Sequence, residues 1–119
     1  MKTEHIMKRA YIAGRLNGMA CDYIKNVHHM VYWADIVRKI GYAVFIPGLD
    51  FLCGVIHGDW EYDDYFDNSQ PWLAASDCVF VTPEWEESKG TKREIEYAES
   101  LGIPVFYDIG ELHKWLKEK

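Results

Sequence analysis

The sequence predicts an α/β fold, namely a small flavodoxin- or Rossmann-like domain with three layers and a mostly parallel sheet of four to five strands. Short apolar segments alternate along the chain with segments of helical period, which is the order of parallel strands joined by helical crossovers. The segment DCVFVTP is apolar without alternation, as in a strand that helices cover on both faces. The length of 119 residues suits one domain spanning 1–119.

The first half of the chain predicts two strands and one helix. RAYIAG is an apolar strand ending at Gly14. Between Tyr23 and Ile40, apolar residues recur at spacings of three and four, which predicts an amphipathic helix that Gly41 ends. YAVFIP is the next strand. The segment 48–58 contains three glycines and shows no period, so it predicts a loop.

The second half predicts further helices and strands. The aromatic segment 59–75 predicts helix, and Pro71 predicts a kink or a second helix capped by Asn68 or Ser69. After the strand DCVFVTP, the pattern predicts a helix over 91–100, a strand in LGIPVFY and a closing helix in IGELHKWLKEK.

Composition and charge restrict the class of partner. The net charge of −6 argues against a nucleic acid polymer, because that binding needs concentrated Lys and Arg. No run of 18 apolar residues occurs, so we expect no membrane partner. The three cysteines are far apart and form no CxxC pair, which favours a reducing cytoplasm over a disulfide framework or zinc site. We therefore expect a small-molecule partner and no cofactor.

Two loops at predicted strand ends, AGRLNG and TPEWEESKGT, contain glycine and lead into helices. Ligands of parallel α/β sheets bind beyond the carboxyl ends of the strands, and the start of a helix offers free N–H groups to an anion. Plain turn glycines are the alternative interpretation. The candidate ligand contacts are Gly14, Arg15, Asn17, Ser88, Gly90 and Thr91.

Glu94 has two interpretations from its spacing. Thr91 and Glu94 match the TxxE pattern of a capping box, in which the carboxylate bonds the backbone of the cap residue. Alternatively, Glu94 is a nucleophile directed into a ligand cleft. A position near the helix start would keep its carboxylate ionised through the helix dipole.

Other residues also allow more than one interpretation. His28, His29, His57 and Asp59 could be proposed as metal ligands, but adjacent histidines on a helix point in different directions, which favours solvated surface and no metal. Four aromatic residues either stack on a ligand base or pack in the core or an oligomer contact. They are Trp60, Tyr62, Tyr65 and Phe66.

The segments AYIAGRLNG and WLAASDCVFVTPEWEESKGTKREIEYAESLGIPVF resemble the nucleoside 2-deoxyribosyltransferase superfamily, in particular its branch of short phage or bacterial proteins of unassigned function. The resemblance covers most of the chain and centres on the S-x-G-T/A-x-x-E motif. It implies that Glu94 attacks the anomeric carbon of a nucleoside or nucleotide and forms a glycosyl-enzyme intermediate. It further implies that Tyr11 orients this nucleophile and that Ser88 contacts phosphate or sugar.

Members of that superfamily also carry an aspartate before the WL…D strand. Counting from Trp72, the nearest match is Ser69, and Asp64 and Asp67 lie close to it. We take Asp67 as the candidate second carboxylate. Glu96 stands where the superfamily has a glycine.

The expected function is therefore a nucleotide or nucleoside N-glycosidase or 2-deoxyribosyltransferase with a glutamate nucleophile. The alternative is a protein of the same fold that binds a nucleotide without cleaving it. Because the chain is small and aromatic-rich, and because superfamily members complete their sites from a neighbour, we expect a homodimer or higher homo-oligomer.

Overall fold

A parallel sheet forms the centre of the molecule, as expected for a flavodoxin- or Rossmann-like domain. The structure is a computed structural model that describes residues 7–15 and 20–118. Within these residues the sheet has four strands, all parallel, in the order β2-β1-β3-β4. The strands are β1 Arg9–Ala13, β2 Ala43–Phe45, β3 Cys78–Val81 and β4 Val105–Phe106. The predicted fold class is confirmed.

Helices connect the strands and cover the sheet. The α-helices of the described residues are α1 Ala20–Ile40, α2 Asp50–His57, α3 Tyr62–Ala74, α4 Lys89–Ser100 and α5 Ile109–Glu118, with a 3-10 turn at Pro47–Leu49. The predicted long first helix is thus confirmed, and it ends at Gly41, whose φ is +130°. Glycine adopts this angle without the strain that a side chain would add.

Successive side chains of β1 point to opposite faces of the sheet and build two separate cores. Ile12 packs with residues of α1 and α5, including Met30 and Leu112. Tyr11 packs on the other face, with Leu73 of α3 and Ile95 of α4. The fold therefore has three layers, and Tyr11 faces the layer that contains α3 and α4.

Two predictions on the chain between β2 and β3 are wrong, namely the loop over 48–58 and the second helix near Pro71. The segment 48–58 contains a 3-10 turn and α2 rather than a loop, because Gly54 lets the helix pack closely under Tyr65 and Gly58 ends it with a φ of +78°. Helix α3 continues through Pro71. Pro71 lies on the exposed side, where water can bond the carbonyl that its missing N–H leaves free.

The strand order places a switch of direction at the centre of the sheet. From β1 the chain moves to the neighbouring edge at β2, and from β2 it crosses back over β1 to β3. Connections therefore leave β1 and β3 in opposite directions. A crevice opens beyond the carboxyl ends of strands at such a point, and ligands of open α/β sheets bind there.

Candidate functional site

A pocket occupies this position on the α3 and α4 face. It encloses about 570 Å³, counting its open mouth, which is within the usual range for small-molecule sites. Its walls come from the end of β1, the turn after β2, α3 and the start of α4. The described lining residues are Gly14, Pro47, Tyr62, Tyr65, Phe66, Ser69, Ser88, Gly90, Thr91 and Glu94.

Glu94 and Tyr11 meet at the inner end of this pocket although 83 positions separate them in sequence. The Tyr11 hydroxyl donates a hydrogen bond of 2.5 Å to Glu94 Oε2. Tyr11 is fully buried in the central strand, so its hydroxyl is held in a fixed place. The sheet therefore orients the Glu94 carboxyl from behind and leaves its other side to the pocket.

Burial raises the pKa of Glu94 from its ordinary value of 4.5 to about 8, and the hydrogen bond from Tyr11 opposes this rise. Desolvation disfavours the charged form of a carboxyl. No Lys, Arg or His among the described residues lines the pocket to offset it. The protonated form of Glu94 is therefore favoured at pH 7.

The expectation that the helix dipole keeps Glu94 ionised is wrong. Helix α4 begins at Lys89 with Ser88 as its cap, rather than at Thr91. Glu94 therefore lies in the second turn, whereas the effect of the dipole falls off within the first. Burial decides the pKa of Glu94 instead.

Tyr11 keeps its proton. Burial is the main cause that raises the pKa of Tyr11 well above its ordinary value, and the neighbouring Glu94 raises it further. A hydrogen bond with the Ser69 side chain acts in the opposite direction. Tyr11 therefore remains a hydrogen-bond donor to Glu94 across the physiological pH range.

The start of α4 forms a donor-rich wall of the pocket. Ser88 Oγ accepts a bond of 3.1 Å from the Thr91 N–H and one of 2.9 Å from the Thr91 hydroxyl. The predicted capping box of Thr91 and Glu94 is therefore wrong, because Ser88 is the cap and Glu94 bonds Tyr11. Of the two hydroxyl hydrogens of Ser88 and Thr91, one makes their mutual bond, and the other finds no acceptor among the described residues.

Three aromatic residues of α3, Tyr62, Tyr65 and Phe66, form the facing wall. Arg93 of α4 stacks on Phe66, with its guanidinium 3.7 Å from the ring centre, and bonds Asp63 at 3.3 Å. A cation–π contact from Arg93 thus helps to fix the aromatic wall. The fourth predicted aromatic, Trp60, lies outside this pocket and packs on Tyr65 at 5.0 Å between ring centres.

Some predicted site residues do not reach the pocket. Asp67 is exposed and lines a separate depression with Asp59. Asp64 accepts a 2.7 Å bond from the Glu61 N–H in the capping box of α3. Arg15 is exposed and is not among the lining residues. Asn17 lies outside the described residues.

Ser69 and Pro47 line the pocket but were not predicted as site residues. Ser69 is 4% exposed and its hydroxyl bonds the Phe66 carbonyl. Its position, which matches the superfamily aspartate when counted from Trp72, is the signal that could have identified it. Pro47 follows β2, and its place at a strand end is the corresponding signal.

Two further features bear on the class of site. Among residues 7–15 and 20–118, no three His, Cys, Asp or Glu side chains are grouped so that they could hold a metal ion. None of the helices in the described part of the chain has the length and apolarity needed to cross a bilayer.

Comparison with known proteins assigns the chain to a family. Residues 8–107 match the domain of unknown function DUF4406, and this range includes Tyr11, Ser69, Ser88 and Glu94. The chain belongs to the DUF4406 family. A comparison with curated proteins finds no match.

The buried carboxyl of this DUF4406 domain predicts a pH-dependent stability. The folded-state pKa of Glu94, about 8, lies above its ordinary value of 4.5. The native state thus holds a proton that the unfolded state releases, and this contribution is complete below about pH 4.5 and is lost as pH rises through about 8. Between pH 5 and pH 9 we expect the unfolding free energy of wild type to fall by an amount on the order of a few kcal/mol. Glu94→Gln cannot ionise, so it should not show this fall.

Urea unfolding of wild type and Glu94→Gln at pH 5, 7 and 9 checks this expectation. The difference in unfolding free energy between the two proteins should grow with pH in favour of the variant. Glu96→Gln, on the exposed side of the same helix, is the control and should follow wild type. A difference that stays constant with pH contradicts the raised pKa of Glu94.

Gly54 of this DUF4406 domain sets the position of the aromatic wall. A methyl group at this position would lie 1.7 Å from the Tyr65 hydroxyl, so Gly54→Ala forces Tyr65 to move. We expect an overpacking cost of about 1–3 kcal/mol, which exceeds the gain of up to about 1 kcal/mol from replacing a helical glycine. Thermal unfolding measures it. Gly90→Ala is the control, because its methyl group meets the Tyr62 hydroxyl at an ordinary 3.5 Å; equal melting temperatures for both variants contradict the prediction.

Proposed function

We propose that this DUF4406 protein cleaves the N-glycosidic bond of a nucleoside or nucleotide, as a hydrolase or a deoxyribosyltransferase, with Glu94 as nucleophile. The observation that carries the proposal is the partly buried Tyr11–Glu94 hydrogen bond at the pocket. A fixed carboxyl beside a neutral donor, in a cleft at the switch point of the sheet, suits covalent catalysis at a sugar carbon. The resemblance to the deoxyribosyltransferase superfamily supports the same assignment.

The pocket walls fit the parts of such a substrate. The aromatic wall of Tyr62, Tyr65 and Phe66 offers ring faces on which a base can stack. Across the pocket, the spare hydroxyl hydrogen of Ser88 and Thr91 and the free N–H groups of the first turn of α4 can donate to sugar or phosphate oxygens. Glu94 lies between the two walls, where the bond joining sugar to base would be placed.

The reaction proceeds in two displacements. The Glu94 carboxylate attacks the anomeric carbon, and the base departs with the electrons of the broken bond. Tyr11 keeps the carboxyl oriented through its hydrogen bond. Water or a second base then attacks the same carbon and releases Glu94.

A phosphate at the start of α4 would bind through the same donors and the positive end of the helix. We therefore expect a nucleoside 5′-monophosphate to raise the melting temperature more than the matching nucleoside, because a ligand of the native state stabilises it by mass action. Thermal shift measurements with matched pairs check this. Equal shifts for both members of each pair contradict a phosphate seat.

Release of free base is the direct test of the function. Wild type and Glu94→Gln are incubated with a panel of neutral and cationic nucleosides and their 5′-monophosphates, and chromatography measures the free base. The proposal predicts base release that depends on enzyme concentration and disappears in Glu94→Gln. The absence of release from the whole panel contradicts it.

A second candidate function is nucleotide binding without cleavage. The protonated state of Glu94 at neutral pH favours it, because a neutral carboxyl can hydrogen-bond a ligand but is a poor nucleophile. Ligand-induced melting shifts that persist in both proteins, together with no released base, support this second candidate.

A further inference from the structure

Among the described residues, the pocket lining contains a single carboxyl, that of Glu94. Retaining glycosidases pair a nucleophilic carboxylate with a second carboxylic acid that protonates the leaving group. Among the described lining residues Glu94 is the only acid of this kind. Ser69 stands where the resemblance places an aspartate, and Asp67 faces a different depression.

Tyr11 and Tyr65 are poor substitutes for that acid. Burial raises the pKa of both Tyr11 and Tyr65 above their ordinary value, so each holds its proton more tightly than a free phenol. The Tyr11 hydroxyl moreover already donates its hydrogen bond to Glu94 Oε2. Efficient proton donation needs an acid whose pKa lies near the working pH.

A leaving group that needs no proton removes this requirement. A neutral purine or pyrimidine departs as an anion unless an acid protonates it. A base that already carries a positive charge on its ring departs as a neutral molecule, because the electron pair of the broken bond cancels that charge.

The pocket also has the surroundings of a cation site. Aromatic faces attract cations, and Tyr62, Tyr65 and Phe66 supply three of them. One of these rings already binds a cation, since Arg93 stacks 3.7 Å from the Phe66 ring centre. None of the described lining residues is a cation that would repel a second one.

We propose that the substrate is a nucleoside or nucleotide whose base carries a ring charge, such as an N-linked pyridinium or an N7-alkylated purine. This rests on the proposed function and narrows its substrate class. The Glu94 carboxylate forms a bond to the anomeric carbon, the carbon–nitrogen bond breaks, and its electron pair neutralises the base. Water then adds to the same carbon, the ester bond to Glu94 breaks, and the proton of the water passes to the released carboxylate and on to solvent.

A positively charged substrate also favours ionisation of Glu94, the group that attacks it. Tyr11 of β1 bonds Glu94, and Tyr62 and Tyr65 of α3 line the same pocket. The positive charge of Arg93 on the aromatic wall is paired with Asp63. A positive ring bound between these elements favours the charged form of the carboxyl and lowers its pKa. A neutral base provides no such effect, so Glu94 stays protonated beside it.

The test compares two substrates that differ by one methyl group and one charge, 7-methylguanosine and guanosine, at pH 7. Base release is measured with wild type, with Glu94→Gln and without protein, and the spontaneous rate is subtracted. We expect a kcat/KM at least about a hundredfold higher for 7-methylguanosine. Nicotinamide riboside, whose base is a pyridinium, provides a second cationic probe.

Ser69→Asp supplies the missing acid and tests whether an added acid increases the cleavage of a neutral base. We expect it to raise cleavage of guanosine at least about tenfold, the low end of what a positioned acid provides, without raising that of 7-methylguanosine. Gln70→Glu is the matched control, since it adds a carboxyl to the neighbouring position of α3, which is not among the pocket residues.

The outcomes distinguish the charged-base inference from the proposed glycosidase function on which it rests. Guanosine cleaved as fast as 7-methylguanosine by wild type overturns the charged-base inference and leaves the glycosidase function in place. No Glu94-dependent release from any nucleoside or 5′-monophosphate overturns both. If Ser69→Asp does not fold, the wild-type comparison of the two substrates still decides.

Discussion

Glu94→Gln is expected to lower kcat for base release by a factor on the order of a thousand or more, because an amide cannot form the glycosyl ester. The variant should remain folded. Its side-chain carbonyl accepts the Tyr11 hydroxyl as the carboxylate does in the wild type, and it carries no buried charge. Loss of activity with retained or increased stability therefore identifies a catalytic group rather than a structural one.

Glu96→Gln removes a carboxylate from the same helix and is the control. Glu96 is exposed and is not among the pocket residues, so its replacement should change kcat by less than a few fold. Full turnover in Glu94→Gln together with lost turnover in Glu96→Gln would show that the wrong carboxylate has been assigned.

Tyr11→Phe has the second largest expected effect. The Tyr11 hydrogen bond favours the charged form of Glu94, so its removal raises the pKa of Glu94 above about 8 and lowers the fraction of carboxylate at pH 7. We expect kcat/KM at pH 7 to fall by about one to two orders of magnitude. The rise of kcat/KM with pH should shift to higher pH, so that activity partly recovers in alkaline buffer.

Tyr42→Phe distinguishes this effect from a general loss of structure. Tyr42 is equally buried, lies on the other face of the sheet and donates a 2.7 Å bond to the Leu112 carbonyl. Its replacement costs about 1 kcal/mol of stability by removing that hydrogen bond, and it should leave the pH profile of activity unchanged. An unchanged profile in Tyr11→Phe would contradict a positioning role for Tyr11.

Much of the fold follows from pattern alone. The unbroken apolar run at β3 and the spacing of three and four in α1 are strong signals, and both elements lie where they were expected. Helix α2 was not predicted, because the glycines of segment 48–58 are typical of a loop. Gly54 is there to admit the hydroxyl of Tyr65, a contact between two helices that local sequence does not reveal.

The site was less predictable because its parts are distant in sequence. The TxxE spacing predicted Thr91 as the cap of α4. The observed cap is Ser88, so Glu94 lies beyond the first turn. The pairing of Glu94 with Tyr11 spans 83 positions, and only the resemblance suggested it. The high pKa of Glu94 depends on its burial. A local sequence motif does not predict that burial.

Acid quenching during turnover, followed by mass spectrometry of the intact protein and its peptides, tests the central claim most directly. With 7-methylguanosine as substrate, the account predicts a fraction of protein heavier by one glycosyl unit, with the added mass on the peptide that contains Glu94. The adduct should be absent from Glu94→Gln. Base release without any adduct, or an adduct on a different residue, would contradict Glu94 as the nucleophile.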